Sequence, residues 1–127
     1  MNKLIAAATA LVTLGTVPAF AQDGDAAEGE KVFRRCMACH AVGEGAQNKV
    51  GPMLNGIVGR AAGSVEGFSY SDALMAKAEE GLVWSAEEID AFITNPKDYL
   101  PGTKMSYPGL RGEDDRANVI AYLATFE

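Results

Sequence analysis

The sequence predicts an all-α domain of about four to five short helices whose first and last members cross, and three observations lead there. Near the C-terminus Val119, Tyr122, Leu123 and Phe126 recur at i, i+3, i+4 and i+7, the spacing of one helical face. Ser85-Ala86-Glu87-Glu88 is a capping box, the sequence mark of a helix start. The stretch from Ala41 to Gly67 is rich in glycine, has little periodicity and reads as loop.

A chain of 127 residues is one domain. Met1-Asn2-Lys3 is a positive start, Leu4 to Val17 is an apolar run of 14 residues, and Ala19-Phe20-Ala21 is a small-x-small cleavage site. Residues 1–21 therefore read as a secretory signal peptide. The run is too short for a membrane span, and Gly15 and Pro18 interrupt it; an uncleaved anchor is the competing reading. Cleavage after Ala21 leaves residues 22–127, a mature chain of 106 residues beginning at Gln22. Loss of Lys3 takes the net charge from -6 to -7. That acidic excess argues against nucleic acid and leaves proteins as partners.

From Asp23 onward the composition turns charged. Asp23-Gly24-Asp25 caps a first helix with Glu28 and Glu30 in its first turn and Arg34 and Arg35 in its last, as the helix dipole favours. Gly29 sits in its interior at a cost of about 1 kcal/mol relative to Ala, so a packing reason is expected. Four residues before Phe33, it lets another helix approach closely. The helix opened by Glu113-Asp114-Asp115 is the expected partner, with Tyr122 lying over Gly29.

The first helix delivers Cys36-Met37-Ala38-Cys39-His40, and C-x-x-C-H is the attachment signature for c-type haem. On the last turn of a helix, cysteines at i and i+3 share a face, about 5 to 6 Å apart. That spacing suits thioether bonds along one porphyrin edge, and His40 falls beneath, where a ring nitrogen can ligate iron. A thiol redox centre and a structural disulfide are competing readings of the cysteine pair, and neither requires the adjacent histidine. Zinc would need ligands that a chain with two Cys and one His does not supply. A covalent porphyrin would fill the centre of a modest core, so the chain without it is expected to fold poorly.

Beyond His40, Gly51-Pro52-Met53-Leu54 forms a rigid corner suited to offering a carbonyl to the second N–H of a metal-bound histidine. Arg60 has no nearby acid and reads either as facing a haem propionate or as a solvated loop charge. Phe68 to Asp72 opens a short helix to about Glu80, closed by Gly81. Trp84 precedes the Ser85 cap; a buried indole N–H needs an acceptor, and a propionate competes there with ordinary core burial. The Ser85 helix runs to about Thr94, before Asn95-Pro96. Asn95 to Met105 then reads as a tight extended loop fixed by Pro96, Pro101 and Gly102, ending on a methionine 65 residues beyond His40. Haem iron in electron carriers takes Met opposite His, and the chain has no second His. Met105 is preferred over Met53, on the histidine-side loop, and over Met75, within a helix.

Taken together these residues resemble a class I cytochrome c of the small, soluble, bacterial periplasmic, cytochrome c2-like type, over nearly all of the mature chain. The resemblance runs through Cys36-x-x-Cys39-His40, Gly51-Pro52-x-Leu54, Gly59-Arg60, Phe68-x-Tyr70, Trp84, and Asn95-Pro96 through Pro101-Gly102-Thr103-Lys104-Met105. It implies the class I fold, with short helices wrapped around one covalent haem c. It also implies thioethers at Cys36 and Cys39, axial ligands His40 and Met105, and the Pro52 carbonyl on the His40 ring. Tyr70, Trp84 and Arg60 match positions that hydrogen-bond or offset haem propionates. Phe92 departs from the pattern, since many relatives carry there a tyrosine whose hydroxyl reaches the methionine sulfur. The helix after Tyr70 is longer than in mitochondrial relatives, and none of its residues is carried over.

The function implied is one-electron transfer by a monomeric shuttle without stable membrane insertion, in a respiratory or photosynthetic chain. A cytochrome bc-type complex would be the donor, and a terminal oxidase, reductase or photosynthetic reaction centre the acceptor. An enzyme or gas-binding haem protein needs an open sixth position and distal acid-base groups, which a chain with one histidine lacks.

Overall fold

A computed structural model describes residues 24–127; the expected signal peptide and its cleavage site lie outside the described residues. The elements are α1 (Ala26–Phe33), β1 (Arg60–Ala61), α2 (Asp72–Glu79), β2 (Val83–Trp84), α3 (Ala86–Thr94), α4 (Pro96–Tyr99) and α5 (Glu113–Leu123).

Helix α1 starts where expected, with the Asp25 carboxylate accepting the Glu28 N–H at 3.0 Å. Its buried face is Gly29, Val32 and Phe33, and α5 crosses that face. A Cβ at Gly29 would run into the Asn118 carbonyl and come within 2.8 Å of the Tyr122 Cβ. The Asp25 N–H donates to the Asn118 side chain at 2.8 Å, and the Phe33 and Tyr122 rings pack at 5.5 Å. The crossing at Gly29 is thus the one the sequence predicts.

The buried face of α5 is broader than one stripe. Val119 and Leu123 are buried, but Ile120, outside the expected stripe, is the residue with 0% exposure. The helix also has a second neighbour: Arg116 Nε donates to Asp90 Oδ1 at 2.7 Å and ties α5 to α3. Phe126 lies past the end of α5 and still packs edge-on against Tyr122, 5.0 Å away.

Three segments differ from their sequence reading. Helix α1 ends at Phe33, so Cys36 to His40 lie on a succession of turns after it rather than on its last turn. The stretch expected to be loop contains β1, which pairs antiparallel with β2 in the register Arg60 to Trp84 and Ala61 to Val83. Two residues per strand are too few to show alternation. The expected extended loop after Asn95 begins instead as the single turn of α4, because the Asn95 side chain accepts the Asp98 N–H at 3.3 Å and Pro96 occupies the first helical position.

Helices α2 and α3 start on Ser71 and Ser85, whose hydroxyls accept the Leu74 and Glu88 N–H groups at 3.1 and 3.2 Å. Only half of the Ser85 capping box forms, since the Ser85 N–H donates to the Val83 carbonyl at 2.8 Å. The Glu88 carboxylate accepts instead the hydroxyl hydrogen of Tyr99, which pins α4 to α3. Burial, and then that bond, push the Tyr99 hydroxyl pKa well up.

Candidate functional site

Between α1, α3, α5 and the two loops lies a mainly apolar cavity of about 470 Å³, within the range of cofactor pockets. Phe33, Leu54, Ile89, Leu100 and Val119 form part of its wall. All eight site residues expected from the sequence line it: Cys36, Cys39, His40, Pro52, Arg60, Tyr70, Trp84 and Met105.

The turns after α1 set the cysteine side. The Cys39 and His40 N–H groups both donate to the Cys36 carbonyl, at 3.1 and 2.9 Å, which curls the motif against the cavity. Both thiols are free and partly buried. Burial raises the Cys36 pKa, and the neighbouring Arg35 cation partly opposes this.

His40 is held at 2.7 Å from the Pro52 carbonyl through Nδ1. A carbonyl can only accept, so Nδ1 carries the hydrogen and the Nε2 lone pair is left for a metal. Burial, the largest effect, lowers the His40 pKa and favours the neutral ring, the form that ligates. The Gly51 backbone closes against this ring: a Cβ there would come within 2.8 Å of Nδ1. The Gly51 N–H in turn donates to the Cys39 carbonyl at 2.8 Å, fastening the loop to the cysteine motif.

Of the two readings of Arg60, the solvated loop charge does not hold, since it lines the cavity. Its Nη1 donates to the Met53 and Asn55 carbonyls, at 3.2 and 2.9 Å. Its Nε is buried without a partner, an orphan donor on the wall of the cavity. Tyr70 spends an oxygen lone pair on the Val65 N–H at 3.0 Å, which leaves its hydroxyl hydrogen to donate. Trp84 is buried and stacks at 5.2 Å on Phe92, another wall residue.

Among the described methionines only Met105 lines the cavity. Met53 belongs to the loop under His40, and Met75 is 39% exposed on α2. The Met105 N–H donates to Thr103 Oγ1 at 3.2 Å, and Lys104 Nζ reaches the Ser69 carbonyl at 3.3 Å, so the methionine loop is held from two sides. The sequence reading missed Thr103 and Tyr107 as wall residues; their places two residues either side of Met105 were the available signal.

The donor set fits one particular group. Two free thiols, a neutral imidazole with an open nitrogen and a thioether around an apolar space, with an orphan guanidinium N–H at its wall, suit a covalently held haem whose propionates take up cationic donors. No cluster of three or more His, Cys, Asp or Glu among the described residues offers a separate metal site.

Comparison with known proteins agrees. The family model described as Cytochrome c matches residues 26–127. Cytochrome c-550 of Ancylobacter novellus is 56% identical over 100 residues, 79% of this chain and 94% of that protein. Cytochrome c2 of Agrobacterium tumefaciens is 50% identical over 101 residues, 80% and 91% of the two chains. The solved structure of cytochrome c2 from Rhodospirillum centenum superimposes with a TM-score of 0.79 at 42% identity, covering 82% of this chain and 99% of that one.

Proposed function

Given that the chain belongs to the cytochrome c family, with the class I fold, we propose that it is a soluble periplasmic one-electron shuttle whose iron is ligated by His40 and Met105. The family carries one covalently attached haem c and transfers electrons rather than catalysing a reaction. When bound, that haem supplies a ferrous/ferric couple. Cys36 and Cys39 would hold it by thioethers, the Pro52 carbonyl fixes the His40 ring, and Arg60, Tyr70 and Trp84 would offset its propionates.

One observation carries the ligand assignment: the hydrogen bond from His40 Nδ1 to Pro52 leaves Nε2 free in the cavity that, of the described methionines, only Met105 lines. A thioether ligand favours the ferrous state and raises the potential. Two protein ligands on the iron would leave no position for a substrate. Export across the inner membrane rests on the signal-peptide reading of residues 1–21, and no described helix is long and apolar enough to cross a membrane. The visible spectrum of the purified protein tests the site. Sharp ferrous α and β bands with a weak ferric sulfur-to-iron band are expected; a high-spin ferric spectrum would overturn the His/Met assignment.

Phe92 supplies a second test. It lines the cavity with Met105 and packs at 5.6 Å against Tyr99. Phe92→Tyr adds a hydroxyl to a nearly isosteric ring, and changes around metal ligands tune the metal. A shifted potential or alkaline ligand exchange with an unchanged fold is expected. If electrochemistry and pH titration match the parent protein, position 92 does not face Met105.

Electron exchange with a membrane-bound donor such as a cytochrome bc-type complex, and with an oxidase, reductase or reaction centre as acceptor, would proceed through a basic surface. Lys49 and Lys104 rest on the backbone carbonyls of Met37 and Ser69, which leave their charges uncompensated. Lys77, by contrast, pairs with Glu80 at 3.5 Å on α2. Rates with a partner of opposite charge should fall with ionic strength, and Lys97→Glu or Lys104→Glu should slow transfer more than Lys77→Glu. Stopped-flow rates across a salt series decide this; equal losses at all three lysines would remove the docking face.

A further inference from the structure

We propose that Asn48 tunes the electron donation of His40 through the single peptide unit that joins Pro52 to Met53. Three groups lie in line across that unit. The carbonyl of Pro52 accepts the His40 Nδ1–H at 2.7 Å. The N–H at the other end of the same amide, on Met53, donates to Asn48 Oδ1 at 3.0 Å. The orientation of the Asn48 amide is settled by chemistry, because its Nδ2 donates at 3.1 Å to the Glu66 carbonyl, which can only accept. The oxygen must therefore face the Met53 N–H.

An amide is a conjugated unit, and its two ends do not act independently. Accepting the N–H hydrogen draws the nitrogen lone pair toward the carbonyl and makes that oxygen a better acceptor. Hydrogen bonds in such a chain strengthen one another, by roughly 10–30% per bond. A stronger pull on the His40 Nδ1 hydrogen gives the ring more imidazolate character, which makes Nε2 a stronger donor and favours ferric iron. Asn48 thus lowers the reduction potential without touching either the ring or the metal. It is a positioning residue, and the inference rests on the assignment of His40 as an iron ligand.

The backbone near Asn48 keeps the geometry fixed. The Lys49 N–H donates to the Gly51 carbonyl at 2.9 Å, and the Gly51 N–H to the Cys39 carbonyl at 2.8 Å. The peptide ahead of Pro52 is therefore anchored to the cysteine motif on its own account, and Asn48 is left to act on the Pro52–Met53 amide. The rival role for Asn48 is a staple between this loop and the Glu66 loop through Nδ2, and two variants separate the roles. Asn48→Ala removes both bonds, whereas Asn48→Asp retains an acceptor for the Met53 N–H and loses the donor to Glu66.

The test uses the haem-loaded protein, with proton NMR of the His40 Nδ1–H in the ferrous state and the reduction potential at high salt, where the added Asp charge is screened. Asn48→Ala should move the Nδ1–H resonance upfield and raise the potential. Asn48→Asp should hold both at the parent values or shift them the opposite way, while losing as much resistance to urea as Asn48→Ala. Equal shifts in the two variants would assign Asn48 to the staple and overturn the inference, as would an unmoved resonance in Asn48→Ala. If the His40 resonances of the parent protein show no iron-induced shift on oxidation, the ligand assignment itself falls, and the inference with it.

Discussion

The variant Met105→Ala is expected to keep its haem bound through Cys36 and Cys39 while its reduction potential falls, on the order of hundreds of millivolts, since axial ligation can move haem potentials across about 0.8 V. The thioether is what favours ferrous iron, and attachment does not depend on it. The loop itself should persist. Leu100 at its start is 3% exposed, Thr103 Oγ1 accepts the Met105 backbone N–H, and Lys104 ties the loop to Ser69. Alanine would then leave a position that water can fill. Electrochemistry and the ferric sulfur-to-iron band read the outcome together, and a surviving band would mean that another group is the ligand.

At Gly29 the expected result is loss of stability where helix propensity alone gives a gain. In an exposed helix Gly→Ala is worth about 1 kcal/mol of stabilisation. Here the new Cβ meets the Asn118 carbonyl and lies within 2.8 Å of the Tyr122 Cβ, and neither is the free end of a flexible chain. Overpacking of this kind costs about 1–3 kcal/mol or more, so the sign reverses. Gly29→Val should cost several kcal/mol, a large share of the roughly 5–15 kcal/mol that holds a domain folded. Urea titration of the haem-loaded protein measures it. A more stable Gly29→Ala would mean that α1 and α5 do not cross at this residue.

Features written in short-range chemistry were legible in the sequence. The caps at Asp25 and Ser85 each satisfy an N–H three residues on, so a few letters suffice to find them. The cysteine motif stood out because this chain has a single His and two Cys, whereas Tyr70 came only from the family resemblance. Other features depend on distant neighbours and were not legible. Ile120 is buried outside the stripe, and α3 reaches α5 through Arg116 and Asp90; no pattern within α5 says so. Arg60 Nη1 donates to the Met53 and Asn55 carbonyls, and backbone acceptors leave no mark in a sequence. Glu88 has the letter of a capping-box partner, yet Tyr99 takes its carboxylate. There a tertiary partner outcompetes a local one.

The crossing of α1 and α5 also sets the order in which this chain can mature. The bond between Asp25 and Asn118 joins residues 93 positions apart, so forming it closes a loop of nearly the whole domain. Closure of a loop that long costs about 4 kcal/mol in chain entropy beyond a constant, by the (3/2)RT ln n rule. The crossing cannot form until the chain from α1 through α5 is present, so the Gly29 face of α1 has no partner before the last helix is available. The last helix acts as a latch on the domain.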